Sequence, residues 1–216
     1  MQAPRDTDAA REYAGLVLRA IGALEDHVAA VEHLPLIQDL MTDEWPAMRA
    51  AALHAAALVD RESFALVLSG LDVDRHWTVR AALADVLATL PPEVSIERLR
   101  PMLQDQDKRV VPAVLRALVR HSVSDAAQIL LAHLKEADVV IRETAARLIG
   151  QLKPDAGLAA LRDAYGAAAA DASYGTRAAI LDALVSYGTP EAAEGIRAAG
   201  SRSLEGFVSG RDAFIV

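Results

Sequence analysis

The chain has 216 residues, 53% hydrophobic but only 4% aromatic, so its apolar content is mostly Ala, Leu and Val; that composition argues against disorder and points to an all-α core. With 22 Lys and Arg against 30 Asp and Glu, the formal charge is −8, which works against nucleic acid as a partner, because such binding is driven by neutralising phosphates with many cations. The absence of cysteine excludes disulfide frameworks, thiolate zinc sites and cysteine nucleophiles, and fits a reducing compartment.

In chain order, the opening "MQAPRDTDAAREYAG" has no basic segment followed by an apolar core, and no stretch approaches the run of about eighteen apolar residues that a membrane helix needs. These features predict a soluble, cytoplasmic protein with no membrane partner. Residues 6–33 are helical in pattern but keep neither the acid nor the arginine that recur later, as suits a capping unit. From position 34 onward a repeat begins. An acidic residue is followed five positions later by a mostly apolar one, then usually by arginine, then by an alanine-rich amphipathic run. The copies are Asp43/Met48/Arg49, Asp74/Val79/Arg80, Asp105/Val110/Val111, Glu136/Ile141/Arg142 and Asp171/Thr176/Arg177, with successive acids 31, 31, 31 and 35 residues apart.

Each acid precedes a helix of about fourteen residues, with apolar positions at helical spacing as in Val79, Leu83, Val86, Leu87 and Leu90. Between these lies a shorter helix: 34–41, 63–71, 96–103, 125–134 and 156–165. The unit is therefore a helical hairpin. Pro35, Pro46, Pro154 and Pro190 fall at or just before helix starts, where a missing N–H costs nothing, and Thr189 is placed to cap the helix that Pro190 opens. The longer fourth interval falls in 166–175, "GAAAADASYG", which reads as an extended turn. After 190–200 the chain abandons the pattern; 201–216, with Phe207, Phe214, Ile215 and Val216, is an irregular tail that either folds back over the last unit or marks the edge of a truncated array. The expected organisation is a single repeat domain over 1–200, with 33 and before as its cap, followed by the tail.

The segments "DEWPAMRAAALHAAALV", "DRHWTVRAALADVLATL" and "EADVVIRETAARLIGQL" resemble the HEAT-repeat proteins, and more closely the short bacterial HEAT-like repeats first named from phycobilisome lyases. The resemblance covers roughly residues 34 to 199. It implies a right-handed α-solenoid of about five to six hairpins, whose second helices line a concave face. It also implies a ladder of charge-assisted hydrogen bonds between units, carried by Asp43, Arg49, Asp74, Arg80, Glu136, Arg142, Asp171 and Arg177. There are two departures from the pattern: Val111 stands where arginine is expected, so one rung should be missing, and polar Thr176 stands at an apolar position.

Most of the residues that look chemical are absorbed by the repeat. His76 and Trp77 do not recur; Trp77, like Trp45 one unit earlier, is expected to pack over the start of its helix. The six histidines show no H-E-x-x-H spacing, and there is no Gly-rich phosphate loop and no nucleophile elbow, so no catalytic residue, cofactor or metal is expected. One column, six residues after each apolar anchor, falls outside the core set: His54, Asp85, Arg116, Arg147 and Asp182. With Arg109 and Arg120 added, Arg116 and Arg147 make a candidate positive strip for an acidic peptide or protein segment; the alternative is a solvated face with ion pairs to Asp85 or Glu143.

The leading functional reading is a monomeric, non-enzymatic protein–protein interaction scaffold or adaptor that uses its concave surface. A second, implied by the resemblance, is a phycobilisome-lyase-like accessory protein that handles a tetrapyrrole on a client protein. A third, nucleic-acid handling on a cationic concave face, is opposed by the net charge.

Overall fold

The computed structural model describes residues 34–168, 171, 174–198 and 200. The capping unit expected over 6–33 and the tail 201–216 lie outside them. Among the described residues all regular structure is helical: α1 (Leu34–Leu40), α2 (Pro46–Val59), α3 (Arg61–Val67) with a following 3-10 turn (Leu68–Gly70), α4 (Trp77–Leu87), α5 (Pro92–Met102), α6 (Val111–Arg120), α7 (Ala126–His133), α8 (Val139–Leu152), α9 (Gly157–Ala167), α10 (Gly175–Tyr187) and α11 (190–198). The helices pair into hairpins with the period of the sequence, giving an α-solenoid, but the expected alternation of short and long fails in the middle: α5 has 11 residues, as many as α4 and one more than α6, because Pro92 opens it early. None of these helices is long and apolar enough to cross a membrane.

Helix boundaries follow local chemistry. Pro46 opens α2, and Thr189 Oγ1 accepts from the Ala192 N–H at 3.2 Å to cap α11. Asp60 caps α3 by accepting from the Ser63 N–H, and Asp138 caps α8 by accepting from Val140 and Ile141. Gly188, at φ 64°, closes α10 in the left-handed region that glycine enters without steric cost. One expectation changes: the segment 166–175 is not all turn, because α9 runs on through Gly166 to Ala167. Alanine supports this extension, since it is the best helix former and gives the chain no local reason to stop.

The chain divides into two compact units between His121 and Ser122. In the first, α2 packs on α4 and α4 on α6, with α1, α3 and α5 set against these long helices. The long helices approach closely because their facing residues are small: Ala50, Ala51, Ala52, Ala55, Ala56 and Ala57 of α2 are all buried. The carbonyl of Leu87, at the end of α4, accepts from the Leu90 N–H at 3.2 Å, from the buried Ser95 hydroxyl at 2.7 Å and from His121 Nε2 at 2.9 Å. In the second unit α8 packs on α10, while α7 and α9 sit against them. Gly150 marks a close backbone approach of α8 and α10: a Cβ there would meet Ala183 Cα at 2.8 Å, and the Ser186 hydroxyl donates to the Gly150 carbonyl at 2.7 Å. Thr176 is fully buried at the apolar position of α10, its hydroxyl turned to the Val139 carbonyl at a long 3.5 Å.

Candidate functional site

The buried arginines define the charged interior. Each sits one turn into a long helix, where its side chain reaches the turn before its own helix and the acid of the following repeat. Arg80 donates through Nε and Nη2 to both carboxylate oxygens of Asp105, each at 2.7 Å, and through Nη1 to the Asp74 carbonyl at 2.8 Å. Arg49 repeats the geometry one unit earlier, at 2.7 and 2.9 Å to Asp74 and 2.7 Å to the Asp43 carbonyl. In the second unit Arg142 pairs with Asp171 and donates to the Glu136 and Ala137 carbonyls at 2.7 and 2.8 Å. The planar guanidinium fork suits this task, because it satisfies a carboxylate side-on while a third donor remains for the backbone.

The electrostatics follow from the pairing. Arg80 beside Asp105 holds that carboxyl below the ordinary carboxylate range, overcoming the opposing effect of burial. At Asp74 burial alone would raise the pKa, but Arg49 and the His76 N–H outweigh it, so the net shift is downward. Both arginines are held above their ordinary value, chiefly by these hydrogen bonds.

Asp43, Glu136 and Arg177 form no arginine–carboxylate rung, Arg142 engages only one oxygen of Asp171, and one residue missing from the expected ladder belongs there. Asp105 is the acid of the most buried rung, with side-chain exposures of 5% for Arg80 and 8% for Asp105. Its own unit carries Val111 in place of arginine, but the bond runs from each arginine to the next unit's acid, so Asp105 is paired by Arg80 of the preceding unit. Asp43 uses its carboxylate to cap its own turn through the Trp45 N–H. Glu136 contributes its backbone carbonyl to Arg142, while Asp138 does the capping in that turn. Arg177 lies over the Tyr174 ring at 4.5 Å, with its buried Nε lacking a hydrogen-bond partner, as does the buried Oδ2 of Asp171.

His54, Arg116, Arg147 and Asp182 are exposed and Asp85 is partly so, but the arginines among the strip candidates are mostly paired. Arg116 meets Asp85 at 3.2 Å, Arg147 meets Glu143 at 2.5 Å one turn away on the same helix, and Arg109 meets Asp107 at 2.7 Å. Arg120 is exposed and makes no ion pair among the described residues. Arg116 and Arg147 thus have the geometry of the ion-paired alternative, and Arg109 is paired as well, but with Asp107. Arg109 also lies 4.2 Å over the Trp77 ring, which accounts for that tryptophan at the start of α4, and His76 caps the same helix by accepting from the Thr78 N–H. Nothing in composition or period pointed to the Trp77–Arg109 stack, because its members are 32 residues apart and neither recurs.

Two cavities lie over the rungs. One of about 670 Å³ sits within the first unit above Asp74, Arg80 and Asp105; another of about 640 Å³ sits within the second above Glu136, Arg142 and Asp171. Among the described residues no three His, Asp or Glu side chains gather as a metal site requires.

Helical hairpins, repeated at a nearly constant period and tied by arginine–carboxylate rungs, define an all-α helical-repeat protein. Residues 64–143 match the model of the family described as HEAT repeats. The crystal structure of an engineered protein is similar with a TM-score of 0.50 and 17% identity, over 91% of this chain and 59% of that one. The chain thus spans less than two thirds of that protein's length, and the likeness shows the fold alone. No curated protein matches the sequence.

Proposed function

We propose that the chain is a non-enzymatic protein-interaction scaffold, in keeping with the general role of HEAT repeats as platforms for other proteins. The observation that carries this reading is how the buried charge is used. Arg49, Arg80 and Arg142 are committed to carboxylates and turn carbonyls that join one hairpin to the next, which is structural work. The surfaces left for function are the exposed faces of the repeated helices and the clefts between them, and a repeated surface suits an extended partner better than a small substrate. The acidic-peptide strip does not lead this reading, because Arg109, Arg116 and Arg147 already face carboxylates of their own chain.

The test is affinity enrichment with the folded chain, followed by calorimetry between the purified partner and the chain. A saturable 1:1 complex, lost when the chain is heat-unfolded, supports the scaffold. Retention only by the unfolded chain, or turnover of a small substrate by the pure protein, overturns it.

A further inference from the structure

The cavity of about 670 Å³ in the first unit has a construction that the rung beneath it does not explain. Helix α3 is only seven residues long and ends in a 3-10 turn, after which the chain continues through Leu71–Asp74 without regular structure. The first helix of the next hairpin, α5, stands across a gap from it, joined by the Arg98 guanidinium, which donates to the Leu68 carbonyl. The floor is apolar, formed by Leu53, Val79 and Leu83, and Val94 and Met102 line the wall. At the mouth stands Val73, which is 84% exposed, together with Asp72, Glu93 and Glu97. These three carboxylates are exposed and make no ion pair among the described residues.

We infer that this cleft is a docking site for a basic, amphipathic segment of a partner protein, with apolar side chains on the floor and Lys or Arg against Asp72, Glu93 and Glu97. This rests on the scaffold reading and names the partner's chemistry. The charge of the rim selects a cation, and the apolar floor selects aliphatic side chains next to it. The open mouth favours a peptide over a small molecule, because binding sites for small ligands usually enclose most of the ligand. The second unit supplies an internal comparison. Asp163 lines its cavity at the position that matches Glu97, each eight residues before a rung acid, but there the exposed Lys135 offsets it, and Glu136, the other acid outside the rung, is only half-exposed. The carboxylate-rich rim belongs to the first cleft.

The experiment uses the full chain and a fluorescent synthetic peptide alternating Leu and Arg, read by anisotropy. Saturable binding is expected, weakened about tenfold by Glu93→Lys with Glu97→Lys and also by Val73→Asp, all exposed positions whose variants should keep the wild-type circular dichroism. Asp163→Lys should leave the affinity unchanged, and a Leu/Glu peptide should not bind. Equal affinity for wild type and the Glu93/Glu97 variant overturns the site, as does displacement of the peptide by octylammonium at the peptide's own concentration, which would assign the cleft to a small amphiphilic cation. A partner that is retained in the enrichment test but is indifferent to these substitutions overturns the cleft while leaving the scaffold reading intact.

Discussion

Arg80 is 4% exposed yet charged, and its stability depends on each of its donors finding an acceptor. Truncation leaves Asp105 buried without its partner and the Asp74 carbonyl without its donor. Arg80→Ala is therefore expected to lower unfolding stability by about 3 kcal/mol, the cost of breaking a buried pair from one side. Arg49→Ala should cost less, because the Asp74 side chain is 21% exposed and water can replace part of the lost interaction. Arg109→Ala, which removes an exposed ion pair and the stack on Trp77, should lower the urea midpoint far less than Arg80→Ala. A midpoint for Arg80→Ala equal to that of Arg109→Ala would refute this ordering. The same rungs set the acid response. Asp74 and Asp105 have folded pKa values below their ordinary value, so their contribution is complete above about pH 4 and is lost as pH falls through the depressed folded values. Urea midpoints measured from pH 6 down to pH 2 should fall steeply in wild type, and less steeply in Arg80→Ala, where the pull on Asp105 is gone. The residue types of the rungs could be read from the sequence. Their connectivity could not, because the register of a bond between repeats depends on how far one hairpin is displaced along the next, and the period alone does not fix that displacement.

The limits of close packing are set between α8 and α10. Gly150→Ala would place a methyl 2.8 Å from Ala183 Cα and 3.0 Å from the Ser186 hydroxyl, which is itself held by the Gly150 carbonyl. Backbone has to move, so stability should fall by about 1–3 kcal/mol. Gly70, in the 3-10 turn after α3, has open space around it, and Gly70→Ala should leave stability unchanged or raise it by up to about 1 kcal/mol through the unfolded chain. Thermal melts of the two variants check the contrast; similar melts would mean that the α8–α10 approach is looser than the distances indicate. At this scale the sequence was most informative, because a period of helix and breaker follows from local signals such as Pro46, Thr189 and Pro190. What escaped it was how helices part. The cleft over α4 arises because α3 stops at Val67, and the run "SFALVLSGL" carries no breaker before Gly70 to announce that stop.

In the whole molecule, stability in a repeat array is approximately the sum of each hairpin and its contacts with its neighbours, so a lesion should spread only as far as cooperative coupling carries it. The rungs are unevenly spread along the chain. Arg49–Asp74 and Arg80–Asp105 both lie within residues 34–121, and Arg142–Asp171 lies within the second unit. The arginine that the sequence omits is at position 111, in α6, the last helix before the division at His121. Breaking one rung should therefore loosen its own unit first. In amide hydrogen exchange, Arg80→Ala is expected to speed exchange across α2, α4 and α6 while the amides of α8 and α10 keep their wild-type rates, and Arg142→Ala is expected to do the reverse. Equal acceleration of both units by either substitution would show that the chain opens as one cooperative block, with contacts other than the arginine rungs setting the range over which a local lesion is felt.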